Sequence, residues 1–210
     1  MKKMTKLEKP YQIEIAGVGG TGVLTAAMLI GNSALLQNVH VVQSEIHGMA
    51  QRGGVVNTEI RMGPVHGPLI PDHEADVLLS FELGETARAM NKLKPKNGIV
   101  IMNTHIIIPP SLQIKKGAKY PSLEEIESIV KQFTEKVYLI DAFSLAEKAG
   151  DLRTQNVILV GALFATPDFP ITRESFEKAL TIQFRKKEQV IKANMKAFEL
   201  GYNKMKELMK

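Results

Sequence analysis

Cysteine is absent from all 210 residues of this chain. Its absence excludes disulfides, thiolate zinc sites, cysteine-ligated iron–sulfur clusters and thiol nucleophiles. A redox centre that works with this protein must therefore be carried by another chain.

The patterns of several common catalytic and metal sites are missing as well. The five histidines show no paired ligand spacing and no HExxH motif, so no metal site is predicted. There is no GxSxG nucleophile elbow, and no Gly-Lys-Ser/Thr follows the glycine-rich segment, which excludes a P-loop. We therefore predict no catalytic residue in this chain.

Long apolar runs are also lacking. No stretch approaches the roughly 18 apolar residues of a membrane helix, and the basic segment 1–10 has no apolar core of a secretory signal. We expect a cytoplasmic protein that does not bind membranes.

Positive charge is concentrated in one part of the chain. The formal net charge is +5, and residues 185–210 alone contain eight Lys or Arg and three Glu. The apolar residues of this segment alternate in steps of four and three, which predicts a basic amphipathic C-terminal helix over 185–210. Such a helix either covers the protein's own core or docks onto a partner subunit. The remaining charges balance, so nucleic-acid binding is not predicted.

The alternation of apolar segments predicts an α/β fold. Strands are expected at residues 12–16, 39–43, 55–62, 77–81, 99–102 and 137–140, helices at 21–36 and 85–93, a further helix after a Ser122–Glu125 capping box, and helices through the last third. Segment 55–62 alternates, so it is expected to be a half-exposed strand in a mixed sheet. We predict a Rossmann-like, mostly parallel (mixed) sheet flanked by helices, with a helical C-terminal third, in a single domain over 1–210.

The glycine-rich segment Gly17-Val18-Gly19-Gly20-Thr21-Gly22 lies between the first predicted strand and the first predicted helix. A turn of this kind lets backbone N–H groups hold a phosphate at a helix N-terminus, or it serves only to pack the strand against the helix. A dinucleotide site is disfavoured, because Glu45 is the only acidic residue near the end of the second strand.

A rarer segment, Ser44-Glu45-Ile46-His47-Gly48-Met49-Ala50-Gln51-Arg52-Gly53-Gly54, follows as a loop or short helix. Arg52 beside two glycines suits a phosphate or a carboxylate, and it equally suits loop carbonyls or a subunit contact. His47 is more typical of a structural hydrogen-bonding group than of a pH-sensitive donor. Both segments follow strands, so we expect them at one edge of the sheet, where α/β proteins bind ligands.

These two segments, in this order, resemble the gamma-type subunits of the 2-oxoacid:ferredoxin oxidoreductases, and within them the indolepyruvate branch. The family has a Gly-x-Gly-Gly-Gln-Gly loop and a Glu-Val-His-Gly-Met-Ala-Gln-Arg-Gly-Gly-Ser stretch, matched by residues 17–22 and 45–55. Further matches are Asp76, Glu82, Glu85, Tyr120-Pro121, Asp141-Ala142, Leu145-Ala146, Asn156 and Gly161-Ala162. The chain departs from the pattern at Thr21, at Val55 and at Leu83-Gly84.

The resemblance implies a coenzyme A-dependent oxidative decarboxylation of indolepyruvate or another aryl 2-oxoacid, with ferredoxin as electron acceptor. It implies that thiamine diphosphate and iron–sulfur clusters are carried by a larger partner subunit, and that this chain binds no cofactor alone. As a non-redox subunit it would form the coenzyme A side of the site, with backbone N–H groups and Arg52 on the phosphates. The residues expected to contact the ligand are Gly17, Gly19, Gly20, Thr21, Gly22, Glu45, His47, Gln51, Arg52, Gly53 and Gly54.

Two other interpretations stay open. A stand-alone nucleotide-binding enzyme of Rossmann type would bind NAD(P) or ATP as the purified chain. A purely structural subunit would only support the larger subunit, and substitutions at Arg52 and Gly53 would then change assembly but not kinetics. In isolation, the chain is also expected to form a homodimer through uncovered apolar surface.

Overall fold

One six-stranded sheet organises the chain in the computed structural model, which describes residues 6–48, 53–106 and 119–210. The strands are β1 (Tyr11–Val18), β2 (Val41–His47), β3 (Val55–Met62), β4 (Val77–Ser80), β5 (Ile99–Asn103) and β6 (Val137–Ile140). Their order across the sheet is β2-β3-β1-β4-β5-β6. β1, β4, β5 and β6 pair in parallel, whereas β3 is antiparallel to both β1 and β2. The mostly parallel, mixed α/β sheet predicted from the sequence is confirmed.

Seven α-helices are present in the described ranges. They are α1 (Val23–Leu36), α2 (Leu83–Ala89), α3 (Leu123–Lys131), α4 (Ala142–Ala149), α5 (Gln155–Phe164), α6 (Arg173–Gln183) and α7 (Glu188–Leu208). Four of the seven follow β6, which confirms the helical C-terminal third. The capping box before α3 is also confirmed, because the Glu125 N–H donates to Ser122 Oγ and the Ser122 N–H donates to the Glu125 carboxylate. None of these helices is both long and apolar enough to cross a membrane.

The helices cover both faces of the sheet. On one face, α1 and α4 to α7 share a buried cluster with Ile13 and Ile15 of β1. On the other face, α2 and α3 pack against a second cluster that contains Ala16 of β1 and Leu78 of β4. β1 is therefore buried on both faces, as expected for a central strand.

Two glycines bring α5 and α7 into backbone contact. A Cβ atom on Gly161 would lie 2.1 Å from the carbonyl oxygen of Phe198, and one on Gly201 would lie 1.9 Å from the carbonyl oxygen of Ile158. Only glycine permits so close an approach. The crossing buries Phe198 and Met205 of α7 completely in the larger cluster.

The structure corrects the expected start of the rarer segment. We expected a loop or short helix from Glu45, but β2 continues to His47, since its backbone pairs with β3. β1 likewise extends through Gly17 and Val18, which pair with the first residues of β3. β2 and β3 form a hairpin, so the chain returns antiparallel beside β1 before the parallel part of the sheet begins.

The expectation that β3 is half-exposed holds at Asn57 and Arg61, which are partly exposed, but not at Glu59. Glu59, on the face predicted to meet solvent, is 3% exposed. The segment after β3 folds over it, and the backbone N–H of Ile70 donates a hydrogen bond to its carboxylate. Lys92 also lies 3.5 Å from this carboxylate.

Candidate functional site

The glycine-rich segment forms a tight turn between β1 and α1. The N–H and the hydroxyl of Thr21 both donate to the carbonyl oxygen of Val18, at 3.2 and 2.7 Å. Gly20 and Gly22 have φ angles of 101° and 87°, in the left-handed region that favours glycine. Gly22 occupies the N-cap position of α1 and supplies no side chain to cap it.

The glycines of this turn have different roles. A Cβ on Gly17 would lie 2.7 Å from Val23 and 2.9 Å from Phe81, and a Cβ on Gly22 would lie 2.8 Å from Asn156. Packing inside the protein therefore requires glycine at these two positions. At Gly20, by contrast, no atom of the described residues lies within 4 Å of the Cβ position. The described part of the chain thus leaves the surface at Gly20 uncovered.

The rarer segment joins this turn through its two glycines. The Gly19 N–H donates to the carbonyl oxygen of Gly54 at 2.8 Å, and the Gly53 N–H donates to the carbonyl oxygen of Gly19 at 3.2 Å. The structure thus brings the two segments together at the carboxyl end of β1. Gln51 and Arg52, which lie between the hairpin strands, fall outside the described residues, as does the side chain of His47.

Glu45 lies on the exposed part of β2. Its carboxylate accepts a hydrogen bond of 3.0 Å from the side-chain amide of Gln43 on the same strand. Among the described residues, this is the only hydrogen bond of the Glu45 carboxylate.

Several backbone N–H groups at the turn have no acceptor within the described residues. They are the N–H groups of Gly20 and Gly22 and those of the first turn of α1, residues 23–25. Helix N-termini present such groups together with the positive end of the helix dipole. The arrangement can hold an anionic group, most readily a phosphate.

The next strand along the same edge, β4, ends at a buried carboxylate. Glu82 is 1% exposed and caps α2 by accepting hydrogen bonds from the N–H groups of Gly84 and Glu85. Burial raises the pKa of Glu82, although these N–H groups act in the opposite direction. The Tyr120 hydroxyl accepts a second hydrogen bond from the Gly84 N–H, at 3.1 Å. The start of α2 is therefore fixed by three residues that match the family pattern: Glu82, Glu85 and Tyr120.

The role of Asn103 at the end of β5 was not predicted from the sequence. Its side-chain oxygen accepts hydrogen bonds from the N–H groups of His105 and Ala142, at 3.2 and 3.3 Å, and its amide donates to the carbonyl oxygen of Phe81 at 3.5 Å. It thereby ties together the carboxyl ends of β4, β5 and β6. The sequence signal that could have identified Asn103 is its position as a polar residue directly after four apolar strand residues.

A group of polar atoms is buried in the sheet close to this edge. Glu14 is 1% exposed, and one of its carboxylate oxygens has no hydrogen-bond partner among the described residues. Ser44 Oγ and Asn57 Oδ1 on the neighbouring hairpin are also buried, and no described residue bonds to them. The pKa of Glu14 is raised to about 8, mainly because the carboxyl group is buried. The second cause is the Glu59 carboxylate, which lies directly opposite on β3. Glu14 is therefore protonated in most molecules at neutral pH.

The ranges 6–48, 53–106 and 119–210 contain no group of three or more His, Cys, Asp or Glu side chains placed to hold a metal ion. The described groups at this edge offer hydrogen bonding and helix-dipole attraction to an anion.

Comparison with known proteins gives consistent matches along the chain. Residues 12–204 match the model of the family described as pyruvate ferredoxin/flavodoxin oxidoreductase. Indolepyruvate oxidoreductase subunit IorB of Pyrococcus horikoshii is 45% identical over 96% of this chain and 98% of the relative. The subunit of the same name from Methanothermobacter thermautotrophicus is 41% identical over 91% of this chain and 96% of the relative.

Solved structures share the fold. The gamma subunit of a keto/oxoacid ferredoxin oxidoreductase from Geobacter sulfurreducens superposes with a TM-score of 0.67 at 20% identity, over 94% of this chain and 99% of that chain. A 2-oxoglutarate:ferredoxin oxidoreductase from Magnetococcus marinus, solved with 2-oxoglutarate, coenzyme A and succinyl-CoA bound, gives 0.69 at 20% identity, over 96% of this chain and 32% of that chain. The extent of the family match and the identity to the curated relatives confirm the resemblance found in the sequence. The chain therefore belongs to the pyruvate ferredoxin/flavodoxin oxidoreductase family and is a subunit of an oxidoreductase complex.

Proposed function

We propose that this chain, as a single domain, is the non-redox subunit of a cytoplasmic 2-oxoacid:ferredoxin oxidoreductase that acts on indolepyruvate or another aryl 2-oxoacid. The names of the relatives that are 41–45% identical over at least 91% of the chain support the substrate class. In this proposal a larger partner subunit carries thiamine diphosphate and the iron–sulfur clusters, which supply decarboxylation and electron transfer to ferredoxin. The absence of cysteine from this chain is consistent with that division.

The chain's own part in this proposal is to form the coenzyme A side of the active site. The observation that carries it is the open surface at Gly20. Beside it lie the N–H groups of Gly22 and residues 23–25, which donate no hydrogen bond to any described residue. Coenzyme A is rich in phosphate, which backbone N–H groups at a helix N-terminus bind well. A chain from Magnetococcus marinus, of which 32% matches this fold, was solved with coenzyme A bound, which supports the choice of ligand.

The hydrogen bonds between Gly19 and residues 53–54 suit this role. They attach the segment that holds Arg52 to the turn, so a guanidinium and the N–H groups can act on one phosphate-bearing ligand. Holding the ligand at its phosphates would orient the thiol toward the intermediate on the larger subunit, and orientation of this kind lowers the barrier without a catalytic group.

A pair of glycine substitutions tests the role of Gly20 in the reconstituted complex. Gly20→Ala places a methyl group where the ligand would approach, so the apparent KM for coenzyme A should rise about tenfold or more. Gly150→Ala is the matched control, since Gly150 at the end of α4 has a φ of 96° and equally open surroundings. In both variants alanine occupies a left-handed backbone conformation, so the strain is matched. A higher KM in Gly20→Ala alone would therefore show that coenzyme A contacts Gly20. Equal KM values would contradict the proposal.

Arg52→Ala tests the second group, with the exposed Arg185→Ala as a control for loss of positive charge. We expect a higher KM for coenzyme A and an unchanged KM for the 2-oxoacid in Arg52→Ala alone. If substitutions at Arg52 and Gly53 reduce assembly while the remaining complex keeps its kinetics, the chain is a structural subunit instead. Tight binding of NAD(P) or ATP by the purified chain would favour the stand-alone enzyme.

A further inference from the structure

β2 forms one edge of the sheet, and no described residue pairs with its outer side. Its seven residues pair with β3 without a bulge and include no Lys, Arg or Pro. Proteins usually protect an edge strand by such residues, by a bulge or by making it short, because its unpaired N–H and C=O groups bind further strands. The opposite edge, β6, is protected in this way, since it has only four residues. β2 is therefore the open edge of the described sheet.

The hydrogen bonds to β3 determine which residues of β2 point outward. The Gly48 N–H donates to the carbonyl oxygen of Val55 at 3.0 Å, and the Gly63 N–H donates to the carbonyl oxygen of His40 at 2.9 Å. Hydrogen-bonded pairs alternate along an antiparallel ladder, so the even-numbered residues of β2 bond to β3. The residues that direct both backbone groups outward are the odd-numbered ones, Val41, Gln43, Glu45 and His47.

The outward residues of β2 are complementary to those of a second copy of the same strand. In an antiparallel pair of β2 strands, only the register centred on Ser44 pairs all four outward residues, with Gln43 opposite Glu45 and Val41 opposite His47. A register centred on Glu45 would instead set two carboxylates against each other, which is unfavourable. The Gln43 amide already donates to the Glu45 carboxylate within one strand at 3.0 Å, so these two groups are compatible partners.

Helix α1 extends this surface with apolar side chains. Met28 and Leu35 are 41% and 60% exposed, and they lie three and four residues from Gly31 on the same side of the helix. This side is next to β2, because a Cβ on Gly31 would lie 3.2 Å from Gln43 Oε1. Gly31 is close to the midpoint between Met28 and Leu35, as Ser44 is the midpoint of β2. A two-fold axis at Ser44 therefore sets Met28 of one copy and Leu35 of the other on the two sides of the boundary between the copies.

We propose that two copies of this chain associate through β2 and α1, with the two β2 strands pairing antiparallel about Ser44 so that two six-stranded sheets become one. The contact is isologous, since each copy contributes the same residues. A second copy is favoured over a different chain because strand and helix are both complementary to themselves about the same point. The proposal locates the homodimer surface expected from the sequence, and it does not depend on the ligand at Gly20.

Sedimentation equilibrium of the purified full chain should show a monomer–dimer equilibrium. Gln43→Glu sets carboxylates opposite each other on both sides of the axis, so the Kd of the dimer should rise about tenfold or more. Gln43→Lys sets a cation opposite Glu45 and should lower the Kd. Gln189→Glu is the matched control, since it makes the same change of charge at an exposed position of α7. A chain that stays monomeric at every concentration and gains no partner at β2, or equal effects of Gln43→Glu and Gln189→Glu, would overturn the proposal.

Leu35→Lys tests the contribution of α1 and should also raise the Kd of the dimer about tenfold. Ile182→Lys on α6 is the matched control, because Ile182 is 58% exposed and Leu35 is 60% exposed. Equal Kd values for these two variants would exclude α1 from the interface.

Amide hydrogen exchange tests the strand pairing without any substitution. The outward N–H groups of Val41, Gln43 and Glu45 should become protected as the protein concentration rises, whereas those of Val42 and Ser44 should be protected by β3 at every concentration. Outward N–H groups that exchange equally fast in monomer and dimer would overturn the pairing. Protection that appears only when the proposed larger subunit is added would overturn the choice of a second copy in favour of a strand of that subunit.

Discussion

At the scale of single residues, Glu14 is a buried carboxylic acid in a central strand, and it makes the stability of the protein depend on pH. Glu14 lies opposite Glu59 and is removed from water, and burial and the neighbouring carboxylate together raise its pKa to about 8. In the unfolded chain its pKa returns to the ordinary value of about 4.3. Between these two values the folded protein holds a proton that the unfolded chain releases.

Stability should therefore fall as the pH rises. The contribution of Glu14 is fully present below about pH 4 and is lost as the pH passes through about 8. Between pH 5 and pH 8 we expect the wild-type free energy of unfolding to fall by on the order of 3 kcal/mol from this residue. Glu14→Gln should remove that slope in urea denaturation curves. Glu135→Gln, at an exposed position, should follow the wild type, and a slope shared by all three proteins would show that Glu14 is not the cause.

The glycine turn shows what a sequence can and cannot tell about a site. Its spacing predicted the turn, and the structure confirms a strand before it and a helix after it. The sequence could not separate Gly17 and Gly22, which are needed for contacts with Phe81 and Asn156, from Gly20, which meets no described neighbour. Those contacts join residues far apart in the chain, so no local pattern contains them.

At the scale of elements, the crossing of α5 and α7 depends on the absence of two side chains. Both helices approach through glycine, with carbonyl oxygens at the places where Cβ atoms would stand. Any added atom must push the helix backbones apart and open the larger core cluster.

Gly161→Ala should therefore lower the free energy of unfolding by about 3 kcal/mol or more, through overpacking against the backbone of Phe198. Gly84→Ala is the control within a helix, because its Cβ would lie 3.4 Å from its nearest neighbours. We expect that variant to change stability by less than about 1 kcal/mol, since alanine also favours helix. Thermal and urea unfolding of both variants measure the difference. Equal losses would show that the crossing tolerates a methyl group.

The element boundaries that the sequence predicted well are those with strong local signals. β3 and β6 agree with their predicted ranges, and the Ser122 capping box marks the start of α3. β2 was predicted too short because Glu45 and His47 are polar, and only the pairing with β3 keeps them extended. The burial of Glu59 was missed because no pattern within β3 shows that the segment directly after it folds back over this carboxylate.

At the scale of the whole molecule, exposed apolar side chains surround the candidate site. Leu24 is 38% exposed, Val55 37% and Ile46 57%, and they lie beside the glycine turn and at the end of the hairpin. A complex whose active site spans two chains would cover them. The same surface gives a reason for the homodimer expected of the isolated chain.

We expect Ile46→Lys to weaken association with the proposed larger subunit about tenfold while leaving the unfolding of the isolated chain unchanged. Ile182→Lys provides a control on α6, since Ile182 is 58% exposed. Binding of each variant to the larger subunit can be measured by surface plasmon resonance. The same loss of affinity in both variants would argue against an interface at the hairpin.

The crossing of α5 and α7 also sets the order of events during synthesis. Phe198 and Met205 complete a core whose other members begin at Ile13. A chain still attached to the ribosome cannot bury that core until residue 205 has left the exit tunnel. The larger core cluster can therefore be completed only once α7 has been made, whereas the smaller cluster contains no residue of α7 and does not depend on it.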